Sequence, residues 1–214
     1  ASNNIAVGME ALRLNTTGAS NSAIGYESLK ANTTGGNNVA LGQGALYANT
    51  TASENSAVGR GALGANTTGT ANTAFGYYSL IANTTADNNT GLGHYALAAN
   101  TTGTSNVAVG RAALVASTTA SNNVAVGGFS MLSDTTGASN TAVGSNSLRA
   151  NTTGNYNTGL GNAALYSNTT ANHNVGIGYY ALLENTTGTT NTAVGNYALD
   201  ANTTGVDNTA LGYG

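Results

Sequence analysis

The stretch Asn191-Thr192-Ala193-Val194-Gly195-Asn196-Tyr197-Ala198-Leu199-Asp200-Ala201-Asn202-Thr203-Thr204-Gly205-Val206-Asp207 decides the fold, because the chain is made of little else. Read from its first Asn it is one 17-residue unit, N-[TSVI]-[AG]-[VILF]-G-x-x-[AS]-[LM]-x-[AS]-N-T-T-[GA]-x-x, whose positions are numbered 1 to 17 below. Position 5 is Gly in every copy, from Gly8, Gly25 and Gly42 to Gly212, at intervals of 17 without insertion or deletion. Position 9 is Leu except at Met131, and position 12 is Asn except at Ser117 and Asp134. Twelve full repeats and partial repeats at both ends fill residues 1–214 as a single repeat domain. Such self-similarity outweighs residue-by-residue propensity in assigning a fold.

Composition excludes most alternatives. Leu, Ile, Val and Phe number 36 of 214 residues, too few for the thick core of an ordinary domain. Disorder at such low apolarity normally accompanies high net charge, and here the net charge is -3. Five Lys and Arg cannot neutralise a phosphate backbone, so no nucleic-acid partner is expected. No apolar run approaches about 18 residues, so no membrane insertion is expected. No signal peptide is visible.

A 17-residue period is too short for two packed helices, which need about 33 residues or more. It predicts an all-β chain, a β-solenoid (parallel β-roll) with one repeat per coil. Positions 2 to 4 alternate with period 2 and are rich in β-branched residues. Positions 1–5 and 7–11 are therefore expected to form two short strands per coil. The Gly at position 5 marks one bend and the N-T-T-[GA] stretch the other. Coils stacked about 4.8 Å apart would build a rod of about 58 Å.

Two aliphatic ladders are expected inside, position 4 (Val7, Ile24, Leu41, Phe75) and position 9 (Leu12, Leu29, Leu46). The Asn columns read as hydrogen-bonded ladders between coils, with a ligand array as the rival reading. With position 4 inside, position 3 faces out. Its residues are Ala6, Ala23, Ala40, Ala57, Ala74, Gly91, Ala108, Ala125, Ala142, Gly159, Gly176, Ala193 and Ala210. An outward column of only Ala and Gly would let another backbone approach closely and reads as an oligomer strip. The alternative is a tight interior that excludes larger groups.

The N-[TS]-A-[VI]-G-x-x-[AS] core, as in Asn21-Ser22-Ala23-Ile24-Gly25-Tyr26-Glu27-Ser28, resembles the repeats of trimeric autotransporter adhesin heads. The longer form from Asn191 to Gly205 looks like repeat regions of bacteriophage tail fibres. The resemblance covers essentially the whole chain and implies a left-handed β-roll and a homotrimer. The repeat of 17 is longer than that of the adhesin heads, and the chain shows no neck, stalk or anchor.

No constellation for catalysis or metal binding is legible. His94 and His173 sit at repeat positions 6 and 17, and the eight acidic residues are scattered. No serine elbow and no phosphate loop appear, so no enzyme and no cofactor are expected. Glu10 and Arg13 recur as Glu27 and Lys30 one coil later, a surface charge ladder. Tyrosine is the one surface signal: Tyr26, Tyr77, Tyr78, Tyr95, Tyr179, Tyr180, Tyr197 and Tyr213 fall at positions 6 and 7. Such a ridge suits sugar stacking or protein contact, or else it covers a solenoid corner or meets a neighbouring chain. The ten N-T-T triplets also match the N-glycosylation pattern.

These readings converge on a non-enzymatic, extracellular structural or adhesive fibre segment at a cell or virion surface, as in a phage tail fibre or bacterial surface adhesin. Its partners would be copies of itself, as a homotrimer or an end-to-end filament, with a cell-surface glycan or receptor as ligand. The filament rests on the absence of atypical terminal repeats to cap the sheet edges. An ice-binding solenoid built on the two Thr columns is the weakest alternative, because adjacent threonines project differently.

Overall fold

The computed structural model describes residues 2–214; Ala1, where the repeat domain begins, lies outside the described residues. The chain is an all-β solenoid of about twelve 17-residue coils, with no helix among the described residues. Thirteen three-residue strands run from β1 (Ile5–Val7) through β7 (Val107–Val109) and β8 (Val124–Val126) to β13 (Thr209–Leu211). They form one parallel sheet in chain order. The register advances by one repeat per strand: Ile5 faces Ser22, Ala6 faces Ala23 and Val7 faces Ile24, and so on to Leu211.

Each coil therefore has one strand, at positions 2–4, where two were expected. Positions 7–11 form two successive turns. In the third coil the N–H of Ala45 donates to Gly42 O (3.2 Å) and that of Asn49 to Leu46 O (3.2 Å). Positions 7 and 9 are left-handed in every full coil, as at Tyr78 (φ 53°) and Leu46 (φ 51°). A side chain in that region costs about 1–2 kcal/mol. Complete burial of a Leu returns about 1.5–3 kcal/mol, and Leu46 is completely buried. The turn is also tied to its neighbours, with Leu46 N–H donating to Ala62 O (3.0 Å) and Ala48 N–H to Gly64 O (3.0 Å). Parallel stacking survives without strand dihedrals.

The strand also turns the opposite side to the core from the one expected. Position 3, expected to form the outward strip, is buried: Ala23, Ala57, Ala108, Ala125, Ala142 and Ala193 are 0% exposed. Ala40, Ala74, Gly91, Gly159 and Gly176 are buried with them, and only the end-coil residues Ala6 and Ala210 are accessible. Position 4, expected inside, faces out, with Val7, Ile24, Leu41 and Phe75 all exposed. Period 2 puts positions 2 and 4 opposite position 3, but does not say which side is the core. Volume decides it. The interior already holds the position 9 column, Leu29 through Leu182 with Met131, together with Ala or Ser at position 8. A methyl placed on Gly91 would lie 3.3 Å from Leu80 Cδ1 and 2.5 Å from Ser79 Oγ. Val, Leu or Phe could not fit there.

Two columns of Asn, at positions 1 and 12, connect the coils. Asn38 Oδ1 accepts the N–H of Asn55 (3.0 Å), and Asn38 Nδ2 donates to Ala52 O (2.9 Å). Asn49 Nδ2 donates to Asn32 Oδ1 (3.0 Å) and to the same Ala52 O (3.0 Å). Both amides are completely buried. A buried amide group without partners costs about 1–3 kcal/mol, so each Asn is fixed by its neighbours above and below.

The Gly at position 5 is held by the same stacking. Gly110 has φ 129°, and a methyl on it would lie 2.7 Å from the carbonyl of Gly127 in the next coil. Gly110→Ala is expected to lower unfolding stability by at least about 2 kcal/mol. Gly128→Ala, one residue beyond the invariant column, meets nothing within 4 Å and should change stability by less than about 0.5 kcal/mol. Thermal or denaturant unfolding of the two variants beside the parent checks this pair.

Candidate functional site

Three surfaces run the length of the solenoid. The first is the outward face of the sheet, positions 2 and 4. It carries Ser, Thr, Val and Ile at position 2 and Val, Ile, Leu and Phe at position 4, without one charged residue. Its side chains are half-exposed to exposed in every coil.

The second surface is the turn after the invariant Gly. The structure divides its predicted ridge of tyrosines into clusters. Tyr77, Tyr78 and Tyr95 meet around His94: the centroids of Tyr77 and Tyr78 are 4.2 Å apart, and His94 stacks on Tyr77 at 5.3 Å. Tyr179, Tyr180, Tyr197 and Tyr213 form a second cluster, with Tyr179 stacked on Tyr180 at 3.9 Å. Tyr26 stands apart from both, and His173 instead stacks on Tyr156 (5.0 Å) at another corner.

Tyr47 and Tyr166, at position 10, also belong to this surface, and sequence reasoning missed them. The signal was a cation followed 17 or 18 residues later by an aromatic. Lys30 lies 5.5 Å from the Tyr47 ring centre, Arg60 lies 5.8 Å from that of Tyr78, and Arg111 lies 5.2 Å from that of Phe129. Arg149 lies over Tyr166 and donates to its hydroxyl (2.6 Å). One coil of displacement puts each cation over a ring face, where the ring quadrupole attracts it.

The third surface is the N-T-T turn. Position 13 threonines are tied into the stack, as Thr33 Oγ1 donates to Thr50 O (3.0 Å). Position 14 threonines such as Thr34 face solvent. The two columns therefore do not form one flat array. In the inner coils Asn32, Asn49 and their equivalents have their Nδ2 buried and donating in two directions, so these present no free amide nitrogen for a glycan; Asn15, in the first coil, is half-buried and donates only to Gly18 O (2.9 Å).

Among the described residues four charged groups form an ion-pair network, in which Lys30 bridges Glu10 and Glu27 (2.7 Å to Glu27) and Arg13 pairs Glu10 (2.7 Å). These bonds hold the Lys30 ammonium above its ordinary range, and the bond from Lys30 holds the Glu10 carboxyl below its own. Among the described residues no three of His, Cys, Asp and Glu gather as metal ligands.

Asp134 is the one fully buried carboxyl, and it interrupts the position 12 ladder. Its Oδ1 accepts from Asn151 Nδ2 (2.7 Å), while its Oδ2 has no partner. Ser117, one coil earlier, is too short to continue the column, so its Oγ and Asn100 Oδ1 are also unpaired. Burial raises the Asp134 carboxyl from 3.8 to about 7, against the lowering effect of the bonds from Asn151 and Gly137.

No protein-family model, no curated protein and no solved structure matches the chain.

The raised Asp134 fixes the sign of a pH dependence. The folded state binds its proton more tightly than the unfolded state, so this contribution to stability is full below about pH 4. It is lost as pH rises to about 7, and then stays constant. A shift from 3.8 to about 7 corresponds to a loss of order 4 kcal/mol. Asp134→Asn should remove most of that slope and stabilise the chain at pH 8 by about 1–3 kcal/mol. Denaturant unfolding of both proteins between pH 4 and pH 9 measures it.

Proposed function

We propose that the chain is a non-enzymatic segment of an extracellular fibre, in a phage tail fibre or bacterial surface adhesin, and that copies pack side by side along the outward faces of β1–β13. The observation that carries this reading is the unbroken register of thirteen strands with an uncharged outer face. A stack in which the coils repeat the same backbone bonds is stiff along its axis and offers few loops to a protease. Its role is mechanical: it spaces or displays a binding surface.

The outward face supplies the lateral contact assigned at first to the Ala and Gly column. Its apolar part is the position 4 column, while position 2 is Ser or Thr in eight of the thirteen strands; monomers rarely leave a long apolar strip open to water. A face about 58 Å long and about 7 Å wide offers roughly 400 Å² per copy. That is half of the ~800 Å² per partner typical of a stable pair. The face alone sets that ceiling for a dimer and a trimer alike, and the choice of a trimer follows the resemblance to the trimeric adhesin heads. Copies also share the same coil spacing, so ridges of one match grooves of the next along the whole length.

A second reading, end-to-end polymerisation into a filament, is favoured by the equivalence of the coils. Each coil presents to the next the same set of backbone donors and acceptors, so a coil from another copy could continue the ladder by the same bonds.

Light scattering separates the two. For a 21.0 kDa chain, the parent is expected near three chain masses. Val109→Lys with Val126→Lys, on the outward face, should run as one chain with an unchanged far-UV spectrum. Ala108→Arg with Ala125→Arg, on the inward face, should lose its β spectrum. A monomeric parent, or an assembly indifferent to the outward lysines, would defeat the lateral reading. Mass that grows with concentration and ignores those lysines would support the filament.

A further inference from the structure

In the full coils the ridge that carries the tyrosines drops to a small residue at position 7 in three places, Gly44 with Gly61, Ala112 and Ala163, and the first and third are notches with related walls, two coils apart in the first and one coil apart in the other. Position 7 drops to Gly44 and Gly61 in adjacent coils, and position 10 drops to Gly64 in the second of them. A methyl on Gly44 would meet nothing within 4 Å. The gap is an open notch of about 560 Å³, walled by Tyr47 on one side and by Tyr78 and Ile81 on the other, with Glu27, Gln43 and Arg60 at its rim. Further along, a smaller notch of about 340 Å³ is floored by Ala163 and walled by Tyr166, Tyr180 and Leu183, with Asn162 and Glu184 at its rim.

The correspondence is positional. Each notch has a Tyr at position 10 on one wall, a Tyr at position 7 on the other, and a branched aliphatic at position 10 beside the second Tyr. Each has a small residue at position 7 as its floor and one carboxylate at its rim. We infer that these are two binding notches for pyranose units of one glycan chain.

The chemistry of the walls selects that class. A pyranose has a face of C–H groups that packs on an aromatic ring and an equator of hydroxyls that needs donors and acceptors. Tyr47 and Tyr78 supply rings, each with one face already met by a cation of the chain, Lys30 and Arg60, and Glu27, Gln43 and Arg60 supply hydrogen bonds. A purely apolar ligand would leave those three groups desolvated and unpaired. A phosphate would face Glu27 in one notch and Glu184 in the other. Arg60 has no acidic partner and lies over the Tyr77 and Tyr78 rings at 5.9 and 5.8 Å. Glu27 gives one oxygen to Lys30 and keeps the other for a hydroxyl.

The spacing adds a second element. Tyr78 and Tyr180 are six repeats apart and Tyr47 and Tyr166 are seven, about 29–34 Å at the stacking distance of a sheet. A polymer long enough to enter both notches would bind through effective concentration as well as contact. This inference names the ligand class for the adhesive part of the reading above, and it does not depend on lateral packing.

The experiment is a glycan array spanning neutral and acidic pyranosides, followed by calorimetry with the best-retained oligosaccharide. Gly44→Tyr and Ala163→Tyr fill the notches without straining the coil, because position 7 already holds Tyr78 at φ 53° and Tyr180 at φ 60°. Each should weaken binding at least tenfold, and the double variant should abolish it. Tyr26→Ala, outside both notches, should leave it unchanged. If a filled variant does not fold, Tyr47→Ala and Tyr166→Ala, which remove one wall each, should give the same loss. An array that retains no glycan, or binding that survives in the filled or wall-less double variant, overturns the inference. The assembly mass reads the fibre proposal separately, so either can fail alone.

Discussion

Asparagine amides set the register on which everything else depends. A position 1 Asn accepts from the backbone of the next coil, and both Asn columns converge on the carbonyl at position 15. These bonds lie in a dry interior, where leaving one unmade is expensive. They also admit one alignment only. A coil shifted by one residue would put a Thr or an Ala where an amide must be, so an insertion anywhere in the unit would orphan two columns at once. The absence of any insertion or deletion between Gly8 and Gly212 is what such a lattice requires. The defect at Asn100, Ser117 and Asp134 shows the converse: one short residue and one acid leave three buried atoms unpaired.

With register fixed by polar bonds, the apolar core can be thin. One Leu per coil fills the interior, opposed by Ala or Gly from the strand and Ala or Ser from the turn. The backbone accommodates this by a double turn with alternating left-handed residues. The left-handed backbone of the Leu itself is offset in each coil by its burial, so that part of the strain does not accumulate. Because the large aliphatic residues of the strand are not needed inside, they remain on the surface, and the sheet acquires an uncharged outer face with an aliphatic column.

Sequence variation is confined to places where stacking does not constrain it, chiefly positions 6, 7, 10, 16 and 17. There the solenoid turns distance along the chain into adjacency. Residues 17 apart become neighbours, so cations find ring faces, tyrosines cluster, and a run of small residues becomes a notch. The chemical character of the rod is written in these columns, as a pattern read across coils.

The repeat determined by itself the fold class, the coil length, the parallel stacking of like on like, the structural role of the Asn columns and the buried Leu at position 9. Those features depend on periodicity, and a period of 17 without gaps leaves one architecture. The tertiary structure alone decided which side of the strand faces the core, because alternation separates two faces without labelling them, and the space left beside Leu29 and its equivalents admits only Ala or Gly. It also decided that positions 7–11 turn instead of extending, since Leu shows no sequence preference for a left-handed backbone and adopts it here to reach the interior. The tyrosines were visible as a list. Their division into clusters, and the part taken by Tyr47, Tyr166 and the glycines between them, depended on side chains from several coils meeting at one edge, which a one-dimensional reading of each repeat does not contain.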